Sequence, residues 1–119
     1  MSMQLIPQSP IILRAYCNED WSAVCAIHDR ARTYELAGSC NPQALVPLVD
    51  EQEDIENFRR SEKFVACVDE QVVGFIGVDG TLISWLYVDP DYFSNGIGRE
   101  LLQLGLELTG PEAWTVVLI

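Results

Sequence analysis

The sequence predicts an α+β fold close to α/β: a mixed, mainly antiparallel sheet with helices on both faces, in the order β-α-α-β-β-β-α-β. Three observations carry this. Two helix-period stretches occupy the first half. The middle switches to three short apolar runs separated by hairpin turns. A strand end then runs through a glycine-containing loop into a third helix-period stretch. At 119 residues a single domain over residues 1–119 is expected, and 49% apolar against 21% charged residues suits a chain that buries a core.

Residues 11–17, IILRAYC, are β-branched and aromatic and read as the first strand. Asn18 is expected to offer its side-chain oxygen at the start of a helix, with Glu19 and Asp20 in the first turn, where acids favour the dipole. Trp21, Val24, Ala26, Ile27 and Ala31 give that helix an apolar stripe through about Leu36. Residues 38–47 hold glycine and two prolines and read as a loop. A second helix is expected over 51–60, with Ile55 and Phe58 inward. Its acidic front (Asp50, Glu51, Glu53, Asp54) and basic back (Arg59, Arg60, Lys63) match the helix dipole.

Residues 63–69 (KFVACVD) and 71–78 (QVVGFIGV) read as two strands joined by a tight turn at Asp69-Glu70-Gln71. Asp79-Gly80 is a stronger hairpin signal, since glycine reaches positive φ easily, and it leads into a fourth strand over 81–88, TLISWLYV. The near-continuous apolar character of this meander implies cover on both faces. Alternation along the fourth strand puts Trp85 and Tyr87 on one face and Ser84, Leu86 and Val88 on the other.

Asp89-Pro90 stops the strand, since proline cannot donate to a ladder. After a short loop, Gly96-Ile97-Gly98 opens a helix whose Ile97, Leu101, Leu104 and Leu108 fall on one face. Gly105 costs that helix about 1 kcal/mol against alanine and is expected to let it approach the sheet closely. Thr109-Gly110-Pro111 ends the helix, and AWTVVLI reads as a fifth strand.

Seven basic residues stand against 18 acidic ones, a net charge of −11. That excludes a nucleic-acid surface, which needs clustered Lys and Arg, and disfavours an anionic membrane surface. It favours a cationic small substrate, whose local concentration a negative field raises. No run approaches the roughly 18 apolar residues of a membrane span, and the opening MSMQLIPQSP lacks the charged and apolar blocks of a secretory signal. Cys17, Cys25, Cys40 and Cys67 form no C-x-x-C pair, and one histidine cannot complete a zinc set, so no metal is expected. Free thiols in a reducing compartment point to the cytoplasm.

The chemistry concentrates in residues 86–102, LYVDPDYFSNGIGRELL. The first turn of a helix carries unpaired amides that, with the macrodipole, form an anion site. Glycines let a phosphate approach the backbone, and Arg99 is the nearby cation. A tight packing turn explains the same letters equally well. A P-loop is excluded because no lysine follows Gly98, and a Rossmann fingerprint because position 101 is leucine and antiparallel hairpins precede the loop.

These letters resemble the acetyl-CoA-binding motif of the GNAT acetyltransferase superfamily, Q/R-x-x-G-x-G/A after a strand ending L-Y-V-x-P. Here they are Leu86-Tyr87-Val88-Asp89-Pro90 and Phe93-Ser94-Asn95-Gly96-Ile97-Gly98, and the order of elements from Ile11 to Ile119 is similar too. The resemblance implies a GNAT-like acyl-CoA acyltransferase fold and an N-acetyltransferase that uses acetyl-CoA, with direct attack of a primary amine, on a small molecule or a peptide, on the thioester. It implies that the backbone of Leu86, Tyr87 and Val88 pairs with pantetheine as a pseudo-strand. The amides from Ser94 through Asn95, Gly96, Ile97 and Gly98 to Arg99 would hold the diphosphate. Phe93 departs from the motif, because it stands where the family has Gln or Arg.

The catalytic groups stay unassigned. Many relatives carry a Glu on the fourth strand, where this chain offers Leu82 and Ser84. Glu35 acting through water is a candidate base, set against a plain solvated acid. His28, the lone histidine, reads as a packing residue first, and Trp21 and Trp114 as core before substrate stackers. The sequence stops inside or just after the fifth strand, where relatives continue with a helix and two strands. A C-terminally truncated form of the fold is therefore expected, either as a truncated product or with residues 114–119 pairing with a second copy. The alternative function is a non-catalytic acyl-CoA-binding or interaction module.

Overall fold

The computed structural model describes residues 9–36, 46–93, 95–110 and 114–115. Two hairpins set the sheet. Val68 faces Gln71 across a two-residue turn in which Asp69 (φ 51°) and Glu70 (φ 67°) are both left-handed, the geometry that matches strand twist. The second turn closes between Asp79 and Leu82 through Gly80 at φ 64°. These turns join β2 (Glu62–Val68), β3 (Gln71–Asp79) and β4 (Leu82–Val88). β1 (Ile12–Ala15) pairs antiparallel with β2, shorter than the expected 11–17. β5 (Trp114–Thr115) pairs parallel with β4, giving the order β1-β2-β3-β4-β5. The expected mixed, mainly antiparallel sheet is thus observed. The rest of the expected strand and edge pairing at 114–119 lies outside the described residues.

α1 (Trp21–Leu36) and α2 (Gln52–Arg60) cover one face of the sheet. Val24, Ile27, Ala31 and Phe58 pack there on Val65, Phe75, Trp85 and Tyr87. Ala26, expected in the stripe, is exposed, because it falls between the inward turns of α1. Asn18 does not cap α1. It opens a 3-10 turn, and Asp20 takes the capping role by accepting the Cys17 amide at 2.9 Å. Arg14 on β1 grips the same carboxylate with two bonds of 2.8 and 2.9 Å and holds it near pKa 2. At the far end of α2, Lys63 Nζ donates to the carbonyls of Phe58 and Ser61, both at 2.9 Å, closing the helix C-terminus. Burial lowers this ammonium below the usual lysine range.

α3 (Ile97–Thr109) covers the other face, over Ala66, Val73, Ile76, Ile83 and Leu86. Its buried line is Ile97, Leu101 and Gly105, not the expected series through Leu108, which is exposed. The line follows i, i+4, i+8 because the helix comes closest to the sheet at its glycine. A Cβ on Gly105 would lie 2.6 Å from Ile76 Cδ1 and 3.0 Å from Ile83 Cδ1, so the expected close approach is observed.

One irregularity reverses an expectation. Gly77 pairs with Trp85 but Val78 pairs with Ile83, so Ser84 is an extra residue in β4. The bulge breaks the alternation. Ile83 packs with Leu86 beneath α3, while Ser84 Oγ lies 3.3 Å from Ser61 Oγ at the end of α2. Ser84 therefore sits on the face of Trp85, not with Leu86 and Val88.

Candidate functional site

β4 ends by donating the Asp89 amide to Val73 O at 2.8 Å. Backbone direction alternates along a strand, so Tyr87 also turns its N–H and C=O toward β3. Leu86 and Val88 turn theirs to the opposite side, the side on which β5 lies. Among the described residues β5 meets β4 only at Leu82 and Ile83. The main-chain groups of Leu86 and Val88 thus open on the strand edge away from β3.

From this edge the chain passes through a 3-10 turn over Pro90–Tyr92 to Gly96, the residue before α3. Gly96 has φ +83°, a conformation that favours glycine, and no heavy atom lies within 4 Å of where its Cβ would stand. The first carbonyl-to-amide bond of the helix runs from Glu100 N–H to Gly96 O at 3.1 Å. The earlier amides of Ile97, Gly98 and Arg99 have no carbonyl within the helix to donate to. The Asn95 amide turns back to Tyr92 O at 3.3 Å. Ser94 lies outside the described residues. A cavity of about 450 Å³ opens beside this entrance, lined in part by Tyr92, Asn95, Ile97 and Glu100. The helix entrance is open, and it adjoins the strand end, since a Cβ on Gly98 would meet Val88 Cγ2 at 3.6 Å.

Packing fixes the entrance from below. Ile97 is fully buried, and Gly74 on β3 makes room for it: a Cβ there would lie 3.0 Å from both Ile97 Cγ2 and the Tyr87 carbonyl oxygen. Ile97 belongs to the motif, but no spacing flags Gly74. Gly74 sits in an apolar strand, and only the structure shows what crosses it.

The electrostatics around the entrance are mixed. Asp89, Asp91 and Glu100 are acidic, while Arg99 and Arg30 are the cations. Arg30 reaches from α1 to the Asp89 carboxylate at 2.9 Å and to Asp91 Oδ2 at 3.0 Å. Sequence reading missed this contact because 59 residues separate the partners and no local pattern marks it. Phe93 is 40% exposed, so an aromatic ring occupies the loop position before the glycines.

Among the described side chains, His28 and Ser84 lie on the α1/α2 side of the sheet and not at this entrance. His28 is buried, its ring centroid 5.1 Å from Tyr87 and 6.2 Å from Trp85, and its Nδ1 is 2.9 Å from Asp29 Oδ1. A carboxylate only accepts, so Nδ1 carries the proton. Asp29 also accepts the Leu48 amide at 2.9 Å. His28 thus packs, as expected, but buried rather than at the surface or half-buried. Leu82 is half-buried and Ser84 bonds into the α2 side. The side chains of Glu35 and Trp114 lie outside the described residues. Among the described residues no group of three or more His, Cys, Asp or Glu side chains could hold a metal ion. None of their helices is long and apolar enough to cross a membrane.

Comparison with known proteins finds relatives over most of this chain. Residues 59–116, from the end of α2 through β5, match the model of the acetyltransferase (GNAT) domain. The uncharacterized N-acetyltransferase YafP of Escherichia coli is 34% identical over 95 residues, covering 78% of this chain and 63% of YafP. The chain therefore spans 63% of the length of that curated relative. A GCN5-related N-acetyltransferase from Rhodopseudomonas palustris superposes with a TM-score of 0.75 at 25% identity, over 90% of this chain and 70% of that one. The PaiA N-acetyltransferase of Thermoplasma acidophilum, solved in complex with coenzyme A, gives 0.71 at 19% identity over 84% of this chain and 72% of its own, a likeness of fold.

Proposed function

We propose, for a chain that carries an acetyltransferase domain of the GNAT family, transfer of an acetyl group from acetyl-CoA to a primary amine. The observation that carries this reading is the continuity of two sets of main-chain donors. The outward edge of β4 at Leu86 and Val88 runs through one short turn into the unpaired amides of the first turn of α3.

Acetyl-CoA supplies an activated acyl thioester when bound, and the residues present fit it. The amides of Gly96, Ile97, Gly98 and Arg99 would hold the diphosphate, with side-chain bonds from Ser94 and Asn95. The bare Cα of Gly96 gives phosphate an unobstructed approach. The main-chain groups of Leu86 and Val88 would pair along pantetheine as a strand does, with those of Tyr87 between them turned to β3, and an outward amide from this stretch would stabilise negative charge developing on the carbonyl oxygen. The backbone does this work in a chain of net charge −11 that offers few cationic side chains. The same charge favours a cationic amine as acceptor. The free thiols Cys17, Cys25 and Cys67 support a reducing, cytoplasmic setting.

Two observations favour a second reading, an acyl-CoA-binding module without turnover. Phe93 replaces a polar phosphate contact, and β4 carries no carboxylate between Leu82 and Val88. Calorimetric titration with CoA, followed by thiol release from acetyl-CoA across a panel of amines, separates the two. Binding with amine-dependent release supports the transferase, and binding without release supports the module. Gly98→Glu should weaken CoA binding at least about tenfold with the fold intact, because it brings a bulky anionic side chain between the first turn of α3 and the end of β4. Unchanged affinity in that variant removes the placement.

A further inference from the structure

The entrance to α3 must attract a diphosphate although carboxylates stand immediately before it. Asp89 and Asp91 flank Pro90 in the turn that joins β4 to Gly96. Asp89 is buried at 5% exposure, whereas Asp91 is exposed. From Asp89 onward the chain is a run of overlapping turns. The Asp91 amide donates to Asp89 Oδ1 at 2.9 Å and the Tyr92 amide to Asp89 O at 2.8 Å. The Phe93 amide follows to Pro90 O and the Asn95 amide to Tyr92 O, both at 3.3 Å. Asp89 is the buried anchor of this run, and Gly96 is its far end.

Arg30 is the cation that meets both carboxylates, with Nη1 at 2.9 Å from Asp89 and Nη2 at 3.0 Å from Asp91. It comes from α1, on the opposite face of the sheet from α3. We infer that Arg30 is a positioning residue for acetyl-CoA: it pins the β4–α3 turn at its buried end and neutralises the two carboxylates of the turn that leads to the diphosphate site. The inference rests on the acetyl-CoA reading above. Arg30 itself donates to carboxylates, so its effect reaches the ligand through the turn and through the local field.

The test is calorimetric titration with CoA of the wild-type chain, Arg30→Gln, Arg30→Lys and the double variant Arg30→Gln/Asp91→Asn, with thermal melts of each. Arg30→Gln should raise the Kd about fivefold, the scale of a single partly exposed ion-pair network. Arg30→Lys should fall between it and wild type, since an ammonium keeps the charge but not the two-pronged grip. The double variant should recover a clear part of the loss by removing one uncompensated charge. If the protein turns over, KM for acetyl-CoA should rise with kcat unchanged.

An unaltered Kd in Arg30→Gln overturns the inference. So does a loss that tracks the melting temperature and is not eased by Asp91→Asn, because that is the mark of a merely structural role. Should Arg30→Gln not fold, Asp91→Asn alone decides: equal or tighter binding supports the inference and weaker binding overturns it. A wild-type chain that does not bind CoA refutes the proposed function itself, an outcome distinct from failure of the Arg30 inference alone.

Discussion

The two faces of the sheet are held by opposite means. On the α1/α2 face, rings fill space and polar atoms tie them. Phe58 lies within 5.3–5.8 Å of Tyr16, Trp21, Phe75 and Trp85, centroid to centroid, and Trp85 Nε1 donates to Asn57 Oδ1 at 2.8 Å. On the α3 face, aliphatic side chains meet glycines, and the helix sits close because Gly74 and Gly105 leave no side chain in its way. The first face supplies bulk and buried area. The second fixes where one helix end points. A binding entrance at that end gains from the second kind of packing, since a shift of an ångström would misdirect its amides.

The comparison predicts how each face fails. Phe58→Ala, which removes the ring at the centre of the aromatic face, should cost about 3–5 kcal/mol in urea denaturation. Affinity of the folded protein for CoA should stay within about twofold, since the change is remote from α3. A several-fold loss of CoA binding there would erase the division of labour. Gly74→Ala should cost less stability, about 1–3 kcal/mol, because the added methyl meets a backbone carbonyl and two buried side chains. It should nonetheless weaken CoA binding by displacing Ile97 and the helix start, as titration of the variant would measure.

The smallest effect sharpens the polar side of the contrast. Arg14 and the Cys17 amide hold Asp20 near pKa 2, below its unfolded value. A depressed carboxylate contributes its stability fully above about pH 4 and loses it as the pH falls toward 2. Wild-type stability should therefore drop over that window by about 1 kcal/mol more than that of Asp20→Asn, with the partly exposed arginine limiting the size. Parallel pH–stability curves would show that the pair contributes nothing.

Much of this fold was legible in the letters because its signals are local. Asp79-Gly80 announces a turn, short near-continuous apolar runs mark β2 through β4, and the Gly96-Ile97-Gly98 run marks a helix entrance. The misses are where distant or irregular geometry decides. The bulge at Ser84 has no signature in TLISWLYV, yet it moves that side chain across the sheet. Leu108 fits the helix period, but it is exposed, and the buried line ends at Gly105. Asp20, not Asn18, closes the 3-10 turn that leads into α1, with Arg14 holding its carboxylate in place. The Gly96 entrance was found from its motif, whereas the Arg30 contact depends on α1 crossing the end of β4, which spacing does not encode.

The connection between β2 and β3 has a practical consequence. Asp69 and Glu70 both adopt left-handed torsions that L-residues with side chains enter at about 1–2 kcal/mol apiece. Rewriting the pair as Asn-Gly would relieve much of that penalty. The hairpin is thus a reservoir of untapped thermostability: a hardened background in which otherwise unfoldable variants elsewhere in the chain could be purified and assayed.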